Sequence, residues 1–384
     1  MILISMKAHF DMTIKNDLIF VYFNARKKRI NEGTDSPQEF FYGYHYFKNK
    51  DFKVDTLEFG GKANFLANLI LEVLQKTIVK IFKFQYDFSG ILRMENFKKI
   101  QYSDHLIMTN TRIGHSLLPY IYYSKLRKRN TKFSVFAMGM FNSSSKNKII
   151  LKIHKFLHNL LIRNIDNLIF IGHKEYLYGI NEFKKYNEKI KFLPFGIDNQ
   201  FWTKKDNEKE DYLLFIGNDS NRDFKFLKHL ALNMPDRKFV VVTEQKEEEL
   251  ENIENITLYK GSWNKGILED SFLANLYSKA RITLIPLKNS LQPSGQSVAL
   301  QSMSMMTPVI ISKTDGFWDS EHFSHKKNIY FTQENTVEEW SSAINDLEEN
   351  DLLYKDLTEN ARSLINMEFN CLAFGKKLLG IIRS

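Results

Sequence analysis

The chain has 384 residues, of which 43% are hydrophobic, and it contains 32 Phe and 17 Tyr. This length exceeds what one compact core accommodates, so we expect two globular domains. The net charge of +9 and the pI near 9.2 favour anionic partners such as nucleotide diphosphates or acidic lipids. The basic residues are dispersed and form no RNA- or DNA-binding motif, which argues against a nucleic-acid partner.

The cysteine content and the lengths of the apolar runs indicate the cellular compartment in which the protein is found. Cys371 is the only cysteine, which excludes an internal disulfide framework and fits a reducing environment. The apolar run at 1–6 is too short for a secretory signal, and no apolar run reaches the roughly 20 residues of a membrane-spanning helix. We therefore expect a cytoplasmic protein, either soluble or peripheral on the inner membrane.

Strand and helix patterns alternate in the first half of the chain. The expected strands are the apolar runs at 17–23, 51–59, 104–109, 132–137 and 167–171. Helical spacing is found at 37–48, 63–84 and 146–164, and 114–116 is expected to open a further helix. The segment 24–35 is predicted to be a loop that carries four consecutive basic residues, 26–29.

The same alternation continues in the second half. The expected strands are 212–217, 238–243, 257–260, 282–286, 308–312 and 328–331, and the expected helices begin at Phe224 or span 271–280, 337–349 and 352–368. Alternation on both sides of the polar linker 203–211 implies an α/β protein with two doubly wound, Rossmann-like sheets. We predict an N-terminal domain at 1–200, a C-terminal domain at 201–368, and a final helix at 369–384 that crosses back to the first domain.

The stretch 282–316 contains two buried strands with a polar turn and a helix between them. The turn 293–297, PSGQS, has no apolar side chain to bury and leads directly into the helix. Backbone N–H groups and the helix dipole at such a place favour a phosphate. Gly295 allows close backbone approach, and Ser294 and Ser297 can cap the helix or bind an anion. An ordinary capped helix start is the alternative.

This stretch resembles the donor-binding segment of retaining GT-B glycosyltransferases of family four, the glycosyl transferases group 1. A bacterial subgroup has the motif S-G-Q-x-x-x-L-E-A-M-A-x-G-x-P-V-I, and the matching residues are Ser294, Gly295 and Gln296, followed by 300–304 and 307–310. The resemblance implies a GT-B fold, in which two Rossmann-like domains face each other across a cleft. It also implies transfer from a nucleotide-diphosphate sugar with retention of configuration, with no cofactor beyond that donor substrate.

Two positions depart from the family pattern. The family has two acidic residues eight positions apart, of which the second usually binds the donor ribose and the first often lies near the transferred sugar. These positions hold Pro293 and Gln301 here. Gln301 can still hydrogen-bond hydroxyl groups through its amide, whereas Pro293 cannot act as an acid. Ser294, Gly295 and Gln296 are therefore expected to take over the contacts to the sugar.

A second turn supplies the basic residue that the family places beside the donor pyrophosphate. Gly217 and Arg222 resemble the family's glycine-then-basic turn, and Arg222-Asp223 is a pair found in the subgroup. The family's basic residue directly after the glycine is Asn218 here, so Arg222, together with Lys225, is expected to bind the phosphates. A guanidinium offers them bidentate hydrogen bonds. The alternative is that Arg222 caps its own helix or pairs with Asp223.

Further candidates follow other strands. Gly261 and Trp263 lie where relatives contact the nucleobase, and Trp263 either stacks on the base or packs on the domain surface. His115 and His173 follow first-domain strands, so each is a candidate to contact the donor sugar or the acceptor hydroxyl, with a structural role as the alternative.

No metal site is expected. His154 and His158 lie four residues apart without visible further ligands, and the chain has no D-x-D pair. Cationic side chains and helix termini are then expected to neutralise the leaving group.

The sequence therefore predicts a metal-independent glycosyltransferase that acts on a glycan or lipid-linked acceptor. The basic run 26–29 and the Lys-rich helices favour an anionic acceptor at the inner membrane face, as in the assembly of bacterial lipopolysaccharide, capsule or exopolysaccharide. The missing acidic pair motivates the alternative, a catalytically inactive GT-B protein that binds a glycan or a partner protein.

Overall fold

The chain forms two domains, each built on a six-stranded parallel sheet with helices packed against it. The computed structural model describes residues 17–23, 26–32, 36–59, 65–84, 86, 99–100, 103–142, 145–204, 209–245, 247–261 and 267–384. Parallel strands covered on both faces are expected to be apolar throughout. The strands Lys132–Ala137 and Lys238–Thr243 show this, because five of the six residues in each are buried.

The first sheet has the strand order β2-β1-β3-β4-β5-β6. Its strands are β1 Asp17–Phe23, β2 Lys53–Phe59, β3 His105–Met108, β4 Lys132–Ala137, β5 Asn167–Phe170 and β6 Ile190–Phe192. The described helices of this domain are α1 Arg26–Glu32, α2 Tyr44–Asn49, α3 Phe65–Phe82, α4 Thr111–Ser116, α5 Leu118–Leu126, α6 Lys148–Asn164 and α7 His173–Glu182. Short 3-10 helices cover Gln38–Phe41 and Lys184–Lys189.

The second sheet has the strand order β12-β11-β10-β7-β8-β9. Its strands are β7 Tyr212–Ile216, β8 Lys238–Thr243, β9 Ile256–Lys260, β10 Ile282–Ile285, β11 Val309–Ser312 and β12 Tyr330–Thr332. The helices that follow these strands are α8 Phe224–Asn233, α9 Glu247–Leu250, α10 Asp270–Lys279, α11 Gln296–Ser304, α12 Val337–Glu349, α13 Asp351–Met367 and α14 Cys371–Arg383. The strand order reverses between β10 and β7, and in such sheets ligands bind at that point.

Three of the local predictions are wrong. The segment predicted as a loop contains the helix Arg26–Glu32. The single helix predicted at 37–48 is broken at Tyr42 and Gly43, whose φ angles are +51° and +89°. The residues 114–116 do not open a helix but end α4, which begins at Thr111 after the cap Asn110. The strands 17–23, 132–137 and 238–243 and the helix 337–349 are confirmed to the residue.

The final helix α14 packs against the first domain. The Phe374 ring stacks on Phe136 at a centroid distance of 6.0 Å, and the Gly375 backbone lies directly against the Tyr46 ring. The chain reaches this position through a backbone bridge between Ile197 and Asn370. None of the described helices is long and apolar enough to cross a bilayer.

Two of the interdomain contacts involve buried charged side chains. Arg29 of α1 pairs with Asp270 at the start of α10, at 2.5 Å between Nη1 and Oδ2. Both side chains are largely buried, so this arginine of the basic run 26–29 serves the domain contact and is not part of an exposed basic loop. The second contact involves Glu39 and is described with the site.

Candidate active site

The two turns predicted to bind the donor meet at the Arg222 side chain. This side chain is only 3% exposed and runs between two glycines. A side chain at Gly217 would collide with Arg222 Nε, and a Cβ at Gly295 would lie 3.1 Å from Arg222 Nη1. The turns are also linked directly, because Asn221 Nδ2 donates a 2.8 Å hydrogen bond to Ser294 Oγ. The guanidinium therefore excludes a side chain at Gly217, whereas Gly295 is required by its φ of +77° and by Ile285 Cγ2, which a Cβ would meet at 2.7 Å.

The turn that carries Arg222 is anchored to strand β10. Arg222 bridges Leu287 in antiparallel fashion, and the Asp223 amide donates to Pro286 O at 3.0 Å. The Asp223 carboxylate caps α8 by accepting a hydrogen bond from Phe226 N at 3.1 Å. Asp223 therefore caps α8, and the Arg222 guanidinium does not serve as a helix cap.

The Arg222 guanidinium is a buried charge with spare hydrogen-bonding capacity. Among the residues that the structure describes, neither Nε nor Nη1 has a hydrogen-bond acceptor. Nη1 lies 3.3 Å from Asp219 Oδ2, close enough for an ion pair but without hydrogen-bond geometry. Burial lowers the pKa of Arg222 and the nearby Asp219 raises it, and an arginine starts so high that it stays charged. Buried donors of this kind are costly unless a ligand satisfies them.

The start of helix α11 points at the same place. Its N-cap is Gly295, with a φ of +77° and no side-chain cap, so the first backbone N–H groups of the helix have no capping acceptor at that residue. Such amides and the helix dipole attract an anion. The buried guanidinium of Arg222 adds a full positive charge, and the amides and the guanidinium together form an arrangement suited to a phosphate.

The other predicted donor residues divide into those near this site and those used elsewhere. Asn218 ties strand ends together, because its Nδ2 donates to Gly261 O at 2.8 Å and its Oδ1 accepts from Glu244 N at 2.6 Å. Ser297 is half-buried in the first turn of α11, and Lys225 is exposed on α8. Trp263 lies outside the described residues.

Gln301 is engaged inside the protein. Its Nε2 donates to Glu39 Oε1 at 2.9 Å, and its Oε1 accepts from the Tyr277 hydroxyl at 3.0 Å. The Glu39 carboxylate also accepts from Trp202 Nε1 at 2.7 Å and from Asp198 N at 3.1 Å. Burial raises the pKa of Glu39 to about 7, even though these hydrogen bonds oppose the rise. This interdomain network, centred on Glu39, is a contact that the sequence did not reveal.

The first domain packs closely on the turn 293–297. Gln296 Nε2 donates to Ile171 O at 3.4 Å, and the Gly172 backbone lies against the Pro293 ring. His173 also lies at this contact, where its amide donates to Trp318 O at 2.7 Å. The predicted site residues Gln296 and His173 therefore both lie where the two domains contact each other.

A cavity of about 580 Å³ lies beside this contact, between the two domains. Its polar lining includes Lys83, Arg112, His115, His154 and His158 from the first domain and Ser220 from the second. Ser220 immediately precedes the turn residues that hold Arg222. The cavity therefore adjoins the turn that carries Arg222, and through Gln292 it also adjoins the turn 293–297.

His115 forms a cluster with the two histidines of α6. Its Nδ1 lies 2.7 Å from Thr111 O, and its Nε2 lies 3.2 Å from His158 Nδ1. His154 Nε2 lies 2.7 Å from Phe82 O. Burial lowers the pKa of His115 to about 4 and that of His158 to about 2, so both are neutral near pH 7. The sequence showed the pair His154 and His158 on α6, but it did not show that His115 joins them in one cluster.

Glu175 is a further buried group that sequence reasoning missed. It lies in the first turn of α7 and accepts hydrogen bonds from Gly139 N at 3.0 Å and Met140 N at 2.7 Å. Burial raises its pKa to about 7. Glu175 thereby fixes the loop after β4, where Asn142 Nδ2 reaches Gln292 Oε1 of the second domain at 3.0 Å. In the sequence, only Gly139, shortly after β4, indicated a turn with unusual backbone geometry at this place.

No group of three or more His, Cys, Asp or Glu side chains within the described ranges is placed to hold a metal ion.

Comparisons with known proteins agree with this architecture. Residues 196–364 match the family model described as glycosyl transferases group 1. No curated protein matches the sequence. Among solved structures, the chain is similar to HepE from Anabaena in complex with UDP, with 11% identity and a TM-score of 0.64 over 95% of this chain and 99% of that one. A structure of HepE with UDP-glucose aligns with 11% identity and a TM-score of 0.66, covering 95% and 99% of the two chains.

Sucrose-phosphate synthase from Thermosynechococcus elongatus is similar at 12% identity and a TM-score of 0.69, with 96% of this chain and 98% of that chain covered. A glycosyltransferase from Rickettsia africae is similar at 13% identity and a TM-score of 0.64, with the same coverage of 96% and 98%. These likenesses extend over both domains. The chain has the GT-B fold, with two Rossmann-like domains facing each other across a cleft, and its second domain matches glycosyl transferases group 1.

Proposed function

We propose that the chain is a glycosyltransferase that moves a sugar from a nucleotide-diphosphate sugar to a glycan or lipid-linked acceptor. The observation that carries this proposal is the buried Arg222 guanidinium, which has unsatisfied donors beside the uncapped start of α11. The family match of 196–364 and the fold shared with HepE, solved with UDP and UDP-glucose, support the same donor class.

The proposed chemistry is stabilisation of a departing nucleoside diphosphate. As the bond between the anomeric carbon and the phosphate oxygen breaks, negative charge accumulates on the diphosphate. Arg222 and the amides that follow Gly295 lie ready to donate to that charge, and donors fixed in advance favour the transition state. The guanidinium and these amides would serve in place of a metal ion. Retention of configuration rests on the resemblance to family four.

The outer face of α6 supports a membrane-associated acceptor. Ile149 is 69% exposed and Phe156 is 65% exposed, and both stand among lysines on a helix, Lys148–Asn164, whose sequence has no acidic residue. Exposed apolar and basic side chains on one face are typical of helices that lie on anionic membranes. The inner face of α6 carries His154 and His158 of the cavity. A lipid-linked acceptor in bacterial surface polysaccharide assembly, at the cytoplasmic face of the inner membrane, fits this arrangement.

A catalytically inactive GT-B protein is the second candidate. It is favoured by Gln301, whose amide is engaged with Glu39 and Tyr277, and by Pro293, which stands where the family has an acid. Such a protein would bind a glycan or a partner through the cleft without turning over a donor.

Thermal unfolding with a panel of nucleotide sugars tests the proposal. A ligand at about 100 times its Kd stabilises the folded state by about 2.7 kcal/mol, which is readily measured as a rise in Tm. We expect one nucleotide sugar and its nucleoside diphosphate to raise Tm, and the donor then to release the diphosphate steadily. Binding without release supports the inactive candidate. No response to any nucleotide would contradict the donor site itself.

A further inference from the structure

Gln292 is the residue immediately before the turn 293–297, and its side chain lines the cavity between the domains. The residue is half-buried, and its Oε1 accepts a 3.0 Å hydrogen bond from Asn142 Nδ2 of the first domain. Within the described ranges this is the one hydrogen bond of the carboxamide, so its Nε2 is available to a ligand. A carboxamide can donate and accept hydrogen bonds at once.

The loop after β4 restricts the position of this carboxamide. Gly139 has a φ of +69°, and a Cβ at this residue would lie 2.7 Å from both Cδ and Oε1 of Gln292. The same loop is held by the buried Glu175 carboxylate, which accepts from Gly139 N and Met140 N. The carboxamide therefore lies against a fixed backbone and is bonded to Asn142. A polar group that is held in advance loses less entropy when a ligand binds.

The cavity places Gln292 beside the proposed donor diphosphate. A nucleotide-diphosphate sugar carries its sugar on the terminal phosphate, which we place at Arg222 and the amides that follow Gly295. The cavity adjoins this place through Ser220, two residues before Arg222, and through Gln292, three residues before Gly295. Its volume of about 580 Å³ falls within the range of about 300–1,000 Å³ typical of small-molecule sites. A sugar attached to the diphosphate can therefore extend into the cavity.

Gln292 is better suited to contact that sugar than the other polar groups of the cavity. In the described part of the chain, the second domain contributes two polar side chains to the lining, Ser220 and Gln292. Gln292 belongs to the same domain as Arg222, so a sugar bound through its phosphate meets it whether the domains are open or closed. His115 and His158 belong to the first domain and are hydrogen-bonded to each other.

We propose that Gln292 determines the sugar specificity of the donor site, because its carboxamide hydrogen-bonds a hydroxyl group of the transferred sugar. Asn142 is a positioning residue that orients the carboxamide from the first domain. The inference rests on the proposed function and deepens it, since it assigns a residue that recognises the sugar and not the nucleotide.

The test compares a nucleotide sugar with its nucleoside diphosphate on the full chain. Calorimetry gives the Kd values of UDP-glucose and UDP; if another nucleotide sugar raises Tm more, it and its own diphosphate replace this pair. Gln292→Met keeps the length of the side chain and removes its amide. We expect it to weaken UDP-glucose binding about three- to tenfold, the loss of one neutral hydrogen bond, and to leave the Kd of UDP within about twofold. Gln333→Met, at an exposed glutamine after β12, should change neither Kd.

A second variant tests the positioning role. Asn142→Ala leaves Gln292 in place and removes the hydrogen bond that orients it. Asn142 is exposed, so the change should cost little stability. We expect a smaller loss of UDP-glucose affinity than in Gln292→Met, with the Kd of UDP again unchanged.

The ratio of the two Kd values decides the outcome. Equal losses for UDP-glucose and UDP in Gln292→Met would assign Gln292 to the nucleotide or to the folding of the turn, and would overturn the inference. Unchanged affinity for UDP-glucose would overturn it as well, while the proposed function would stand. If the wild type binds no nucleotide at all, the proposed function fails and the inference fails with it.

Discussion

Glu39 provides the sharpest test of how the two domains are joined. Its buried carboxylate accepts hydrogen bonds from Asp198 N, Trp202 Nε1 and Gln301 Nε2, at 3.1, 2.7 and 2.9 Å. Glu39→Ala would leave three buried donors without an acceptor. Each such donor costs about 1–3 kcal/mol, so we expect the free energy of unfolding to fall by about 3–5 kcal/mol once water partly replaces the carboxylate.

The same carboxyl should make stability depend on pH in a defined direction. Burial raises the pKa of Glu39 from 4.5 to about 7 in the folded state. A raised pKa means that the folded protein holds the proton more tightly, so its contribution is fully present below pH 4.5. The contribution is lost as the pH rises through about 7. A shift of that size corresponds to about 3 kcal/mol, at about 1.4 kcal/mol for each pH unit.

Urea denaturation between pH 4.5 and 8, followed by tryptophan fluorescence, compares the wild type with Glu39→Gln. The variant cannot titrate, so its stability relative to the wild type should improve by about 3 kcal/mol as the pH rises through this window. Glu175 acts in the same direction and His115 in the opposite one, but both are present in each protein and cancel in the difference. Glu254→Gln, at an exposed position, serves as the control. Parallel curves for wild type and Glu39→Gln would refute the buried junction.

Three further changes test the site and the membrane face. Gln301→Glu would place a second carboxylate beside Glu39, and we expect a loss of about 3 kcal/mol in urea denaturation at pH 8 that shrinks at pH 5. Tighter donor binding with unchanged stability would instead assign Gln301 to the ribose. Gly295→Ala forces a side chain into a φ of +77° and toward Arg222, so it should lower stability by about 1–3 kcal/mol and nucleotide affinity about tenfold. Gly380→Ala, with open space around its Cβ, is the matched control, and equal effects in thermal-shift titrations would contradict the role of Gly295. The double change Ile149→Asp and Phe156→Asp should reduce sedimentation with phosphatidylglycerol vesicles about tenfold, whereas Leu352→Asp, exposed on the second domain, should not. Unchanged sedimentation of the double variant would remove α6 from the membrane face.

Much of the fold was predictable because buried parallel strands appear in the sequence as continuous apolar runs. The runs that became β4 and β8 are continuous apolar segments with sharp polar boundaries, and the structure matches them to the residue. Helix α1 was missed since its sequence, RKKRINE, has no apolar periodicity, and its stability comes from tertiary contacts such as Arg29 with Asp270. The break at Gly43 was visible only as a glycine inside an otherwise helical pattern.

The candidate site was predictable only where a local motif carries it. The turn at Gly295 was predicted from its small polar residues before a helix and the turn at Gly217 by resemblance, and the structure brings both against Arg222. Contacts between residues far apart in the sequence could not be predicted from local sequence patterns. Gln301 meets Glu39 across 262 residues, and His158 meets His115 across 43, and nothing in either neighbourhood of the sequence encodes its partner.

The proposed binding of the donor diphosphate by Arg222 is tested by calorimetric titration of UDP into Arg222→Gln. Lys238→Gln is the matched control, because it removes an exposed cation of the same domain at the first residue of β8. We expect Arg222→Gln to weaken binding about 10- to 100-fold, the cost of losing one or two charge-assisted hydrogen bonds, and Lys238→Gln to change it little. Equal Kd values for UDP in the two variants and the wild type would contradict the proposed binding.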